Sequence, residues 1–133
     1  MTSKIMSIDI PRAPLPKGPY SQVIRAGDFL FVSGQGAIDP VNNNFSFGDI
    51  RHETTIVLEN IRRILEGCGS SLADIVKCSV FLSEAADFAA MNDVYASYFG
   101  EPAPTRTTVV CAFVQLGMKV EIDCIAYNPQ SRS

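Results

Sequence analysis

The sequence has one histidine, no C-x-x-C pair, no run of lysine or arginine, and no apolar stretch close to membrane length. Each shortage removes a class of function. The single histidine, His52, sits between Arg51 and Glu53 in a helical pattern and reads as a solvated residue. With one imidazole and scattered thiols, a zinc site has too few ligands. A Cys-His nucleophile pair would need His52 to meet one of Cys68, Cys78, Cys111 or Cys124, and no spacing suggests that. The four cysteines, three of them in apolar strand-like runs, read as buried free thiols of a reducing compartment. Net charge is −3, with no basic helix face and no aromatics interleaved with basic residues. Binding to nucleic acid through phosphate neutralisation is therefore not expected. No apolar run reaches the roughly 20 residues of a membrane span. The opening Met1-Thr2-Ser3-Lys4-Ile5 is too short and too polar to read as a signal peptide. A cytoplasmic protein without membrane partners is the expectation.

Charge is also scarce. Charged residues make up 19% of the 133, against 47% hydrophobic. The length suits one compact domain spanning 1–133. A small domain with so few charges must cover much of its surface, which hints at self-association.

The order of elements is legible from periodicity. Prolines 11, 14, 16 and 19 mark an extended lead-in at about 9–19, preceded by an edge strand at Lys4 to Ile8. Ser21 to Ala26 and Phe29 to Ser33 flank Gly27-Asp28, a hairpin signature suited to a type II′ turn. Asp39-Pro40 and Asn42-Asn43-Asn44 mark an exposed turn. A helix is predicted from Asp49 to Glu66, with Thr54, Val57, Ile61, Ile64 and Leu65 on one stripe, Asp49 as cap, and Gly67 or Gly69 at its end. Ile75 to Leu82 reads as a central strand buried on both faces. A second helix is predicted over about Ala86 to Phe99, with Phe88, Met91, Val94, Tyr95, Tyr98 and Phe99 inward and Gly100 and Pro102 as stops. Two strands around Arg106 and Glu121 close the chain. Joined by a turn at Gln115 to Met118, they are expected to pair as neighbours. Two helices can cover one face of the resulting mixed sheet. Alternation then leaves Glu121 on the open face. The apolar groups there predict that a second copy covers it.

Arg106 and Glu121 are the candidate chemistry. If the two strands are neighbours, a guanidinium and a carboxylate share one sheet face. A guanidinium is a two-pronged donor for a substrate carboxylate. A carboxylate beside it can orient water or carry a proton. The alternative is a structural ion pair between Arg106 and Glu121 or Asp123. Tyr20 could line a site or only pack, Ser33 could serve a turn, and Asn92 reads as a packing or capping group.

Gly18-Pro19-Tyr20-Ser21-Gln22, Val32-Ser33-Gly34-Gln35, Pro104-Thr105-Arg106 and Val120-Glu121-Ile122 stand in the order and spacing of the RidA (YjgF, reactive intermediate deaminase) family, which this chain resembles from about Pro11 to Tyr127. Glu59-Asn60-Ile61 and the stretch Ala86 to Asn92 resemble it too. The resemblance implies an α+β, chorismate-mutase-like fold: a six-stranded mixed sheet with two helices on one face. It implies a homotrimer with active sites between subunits, no metal and no organic cofactor. The implied activity is hydrolysis of 2-enamine and 2-imine acids, such as 2-iminopropanoate and 2-iminobutanoate, to 2-oxo acids and ammonia. On that resemblance Arg106 binds the substrate carboxylate, Glu121 handles water and proton, Tyr20 supplies a hydroxyl and Ser33 a hydrogen bond. Gly34, Gln35 and Thr108 complete the substrate-binding set. Three departures bear on specificity. Thr108 stands where many members carry cysteine, so a thiol switch is not expected there. Gly36-Ala37 replaces the usual Ile-Pro, and Phe113-Val114-Gln115 replaces Arg-Leu-Pro. These changes leave a bulkier enamine acid, such as 2-aminomuconate, as an alternative substrate. A sensor that binds a small carboxylic acid without turning it over is the other alternative. Related proteins described as ribonucleases offer a third reading, which the acidic balance and lone histidine disfavour.

Overall fold

The computed structural model describes residues 4–130. Six strands form one sheet in the order β1-β2-β3-β6-β4-β5. They are β1 (Ile5–Ile8), β2 (Val23–Ala26), β3 (Phe29–Gln35), β4 (Ile75–Leu82), β5 (Thr105–Val110) and β6 (Val120–Tyr127). Only β4 and β5 run parallel, so the sheet is mixed. The helices α1 (Ile50–Gly67) and α2 (Phe88–Ala96) cover one face, as the α+β expectation required.

Local chemistry explains the elements. Gly27 has φ +59 and Asp28 is not in the left-handed region, which fits a type II′ hairpin. The Asp49 side chain accepts from the His52 N–H and caps α1. At its other end Gly69, at φ +76, donates to the Glu66 carbonyl while Ser70 N–H reaches the Leu65 carbonyl. This pairing is the Schellman closure, and it favours Gly69 over Gly67 as the stop. The stripe Thr54, Val57, Ile61, Ile64 and Leu65 is buried against Leu30, Val80, Ile122 and Cys124 from the sheet. The lead-in is tied down by Gln22, whose amide bonds the backbone of Ile10 and the carbonyl of Pro14.

The structure corrects three expectations. First, β5 and β6 are not neighbours. The crossover through α2 lays β5 parallel to β4, and β6 returns antiparallel between β3 and β4. Second, β4 is buried on one face only. A bulge at Val76 shifts its register against β6, so Ile75, Cys78, Val80 and Leu82 are buried while Val76 and Lys77 are exposed. Third, α2 is shorter than the pattern suggests. A 3-10 turn at Ala85–Asp87 precedes it, and Phe88 is exposed rather than in the core. Asn60 also lies on the buried side of α1, where its amide donates to the Ile38 carbonyl at 2.8 Å.

The face without helices carries Phe29, Phe31, Val109 and Tyr127, all exposed. Phe29 and Tyr127 pack together at 5.3 Å between ring centroids.

Candidate active site

Glu121 sits on the open face of β6, opposite Phe81 of β4. Beside it, β3 carries one extra residue between Val32 and Gln35, so Ser33 and Gly34 bulge outward. The bulge brings the Gly34 backbone against the Glu121 carboxyl. A Cβ on residue 34 would lie 2.8 Å from Glu121 Cδ and 3.2 Å from Cγ. Only a glycine leaves that carboxyl in place. The two residues open into a cleft of about 560 Å³, whose walls include Tyr20, Phe81, Cys111, Phe113 and Met118.

Burial pushes the Glu121 carboxyl above the usual glutamate range, and the Asp123 carboxylate adds to the effect. Among the described residues the Glu121 carboxyl makes no hydrogen bond or ion pair. A half-buried acid with no partner, facing a cleft, is available to hold a water and pass a proton.

Tyr20 lines the same cleft. The turn at 17–20 closes through Tyr20 N–H to the Gly18 carbonyl, and the Tyr20 hydroxyl accepts from Lys17 N–H at 3.1 Å. Its own proton remains free to donate. Ser33 is committed differently: its hydroxyl donates to the Ser21 carbonyl at 2.5 Å. It pins the bulge to the segment before β2 and keeps an acceptor lone pair. The Gln35 side chain is buried and bonds the Ser33 carbonyl at 3.1 Å, so it supports the bulge rather than lining the cleft with Glu121.

Arg106 and Thr108 are elsewhere. In register, Arg106 pairs with Cys78 and Thr108 with Val80, both buried under the helices. Both side chains therefore lie on the helix-covered face, at the edge of the sheet. Glu121 pairs with Phe81, one residue out of phase with Val80, and faces the other way. The expected sharing of one face by Arg106 and Glu121 is overturned, because β4 intervenes and fixes opposite parities. Within one chain the two do not share a cleft. The structural ion-pair reading also falls. Arg106 pairs with neither Glu121 nor Asp123, and stacks instead over Tyr95 at 4.8 Å and Phe88 at 5.6 Å. Asn92 lies on the same side of α2 as those two rings. Its Oδ1 and the Thr108 hydroxyl are buried without a partner. Arg106 thus heads a polar patch with unused donors and acceptors at an open sheet edge.

Sequence reasoning missed Glu53. It is fully buried, accepts from Gly48 N–H at 3.2 Å and Lys119 N–H at 2.9 Å, and pairs with Lys119 Nζ at 3.5 Å. These bonds hold the turn carrying Met118, and so the cleft floor, onto α1. The spacing of Ile50, Glu53, Thr54 and Val57 placed Glu53 on the apolar stripe, which was the available signal. His52 bonds Ser46 and takes no part in the cleft. Burial raises the Cys78 and Cys124 thiols, marking them as core groups. Among the described residues no cluster of three His, Cys, Asp or Glu side chains could hold a metal, and no helix is long and apolar enough to cross a membrane.

Comparison with known proteins adds independent findings. A family model described as Endoribonuclease L-PSP matches residues 10–128. A RutC family protein of Pyrococcus horikoshii is 50% identical over 116 residues, covering 87% of this chain and 92% of that protein. The chloroplastic Reactive Intermediate Deaminase A of Arabidopsis thaliana is 38% identical over 86% of this chain and 62% of its own length. The crystal structure of RidA from the Antarctic bacterium Psychrobacter sp. superposes with a TM-score of 0.87 at 37% identity, covering 92% of this chain and 98% of that one. E. coli TdcF with bound serine gives 0.86 at 35% identity over 92% and 98%.

Proposed function

The chain belongs to the Endoribonuclease L-PSP (RidA/YjgF) family, and we propose that it hydrolyses reactive 2-imino and 2-enamino acids to 2-oxo acids and ammonia. The observation that carries this reading is Glu121: half-buried, unpartnered, raised in pKa, and set against a glycine bulge in an open cleft. Support comes from a relative named Reactive Intermediate Deaminase A, and from a neighbour that holds serine, a small carboxylate-bearing amine.

An imine carbon is already electrophilic, so water can attack it without a covalent nucleophile. Glu121 accepts a proton from the attacking water as the carbinolamine forms. It gives that proton to the imine nitrogen, leaving a neutral carbinolamine; it then carries the carbinolamine hydroxyl proton to the amine nitrogen, and ammonia departs as the C–N bond breaks and the carbonyl forms. An enamine first takes a proton at C3, which a carboxyl with a raised pKa can deliver. Tyr20 donates a hydrogen bond at the cleft wall. The Ser33–Gly34 bulge fixes the carboxyl.

The carboxylate anchor is Arg106 of a neighbouring copy. On its own chain the guanidinium cannot reach the Glu121 cleft, but it lies unpaired at the β5 edge, and the open face beside it is apolar. A ring of copies, three on the family pattern, buries that face and brings each Arg106 patch to the next Glu121 cleft. Sedimentation showing only a 14.5 kDa species at micromolar concentration would contradict this assembly.

The test is a coupled assay. An amino acid oxidase or a dehydratase makes the imine in situ, and semicarbazide traps what survives. The expected result is faster 2-oxo acid release with the wild-type protein and none with Arg106→Ala or Glu121→Gln. Saturable binding of 2-oxobutyrate with no acceleration would instead indicate a sensor. Cleavage of RNA is not expected, since the cleft holds no histidine.

A further inference from the structure

We propose that Lys17 forms an anion subsite at the rim of the cleft, selecting 2-imino acids whose side chain ends in a second carboxylate. This inference deepens the deaminase reading and rests on it for the orientation of the substrate.

Lys17 lines the same cleft as Glu121. The ammonium is held in position. It donates to the Asn43 carbonyl at 2.7 Å and lies 5.1 Å from the centre of the Phe45 ring. Asn43 is itself fixed. It takes φ +61, donates to the Asp39 carbonyl, and accepts from Leu15 N–H through its side chain. An ammonium carries three donors. One is used on Asn43, and Lys17 makes no ion pair among the described residues. Two donors remain for a guest.

Much of the rest of the cleft wall is apolar. Ile38, Phe45 and Met118 line it, and Gly36 faces Met118, so that a Cβ there would lie 3.0 Å from Met118 Cε. The cleft thus pairs a carboxyl with an ammonium, alongside hydrocarbon surface. A three-carbon imine fills little of a cleft of about 560 Å³. With C2 at Glu121 and the α-carboxylate turned to the neighbour's guanidinium, a longer side chain runs along Ile38 and Met118. A terminal carboxylate then meets Lys17. A charge-assisted bond of this kind separates charged from neutral side chains by roughly tenfold to a hundredfold.

The experiment compares two imines of similar length, made in situ from glutamate by glutamate oxidase and from methionine by an amino acid oxidase. For the wild-type protein kcat/KM is expected to favour the glutamate-derived imine by tenfold or more. Lys17→Met should lower that ratio at least tenfold, and Lys17→Arg should restore most of it. An unchanged ratio, with both imines hydrolysed, overturns the subsite and leaves the deaminase reading standing. If the wild-type protein accelerates neither imine, the deaminase reading fails and calorimetric titration decides the subsite. Binding of 2-oxoglutarate in preference to 2-oxohexanoate, lost in Lys17→Met, supports it; equal binding of the two by the wild-type protein overturns it.

Discussion

Gly34→Ala isolates the contact on which the proposed chemistry depends. The new methyl group would meet Glu121 Cδ at 2.8 Å and Cγ at 3.2 Å, with Oε2 nearer still. Ordinary contact begins near 3.4 Å, so something must move. The obstacle is the far end of a flexible side chain, and Gly34 is not in the left-handed region. The backbone can therefore stay while the carboxyl swings away by on the order of 1 Å. A misplacement of that size costs a positioned catalytic group about a hundredfold in rate. Stability should change little, within about 1 kcal/mol, because lost unfolded-state entropy offsets part of the crowding. Urea unfolding and the semicarbazide-coupled assay read the two effects on one sample. Full activity in a stably folded Gly34→Ala protein would refute the placement of Glu121 at the reacting atoms.

The pKa of Glu121 carries a stability signature. Its folded value is raised by burial and by Asp123, so the protonated form is favoured in the fold and the stability it contributes is lost as pH rises through that value. Glu121→Gln should match the wild type in acid and melt higher than it at neutral and alkaline pH, while losing turnover; thermal melts across that range check the sign. Glu53→Ala strands the Gly48 and Lys119 N–H groups, and should cost about 2–4 kcal/mol in urea unfolding and loosen the cleft floor. Asp49→Ala removes only the α1 cap, so a loss of about 1 kcal/mol with unchanged turnover is expected.

Helix α1, the hairpin turn at Gly27 and the one-sided helical layer were legible because each follows from local chemistry: a 3.6-residue stripe, a cap, a glycine at positive φ. The cleft was legible in part. Tyr20, Gly34 and Glu121 do meet, and Ser33 and Gln35 stand just behind them. The placement of Arg106 was not legible, for a topological reason. The turn between β5 and β6 suggested a neighbouring pair, whereas the parallel pairing of β5 with β4 is set by the α2 crossover, a long-range contact that alternation does not report. With β4 inserted, the parity of Arg106 against Glu121 depends on registers across two interfaces, one of them bulged at Val76. Glu53 was not legible as a buried acid, because a carboxylate beside His52 and Arg51 looks like a surface residue despite its place on the apolar stripe. Its partners, Gly48 and Lys119, come together only in the folded chain.

Mixing two inactive variants tests the shared site most directly. Arg106→Ala retains Glu121, and Glu121→Gln retains Arg106. Co-assembled at equal ratio in a ring, about a quarter of the junctions place an intact Arg106 beside an intact Glu121 of the next copy. The expected result is deaminase activity near a quarter of the wild-type level from two proteins that are each dead alone. A mixture verified by mass spectrometry to contain hetero-oligomers, yet still inactive, would contradict a site assembled from two copies.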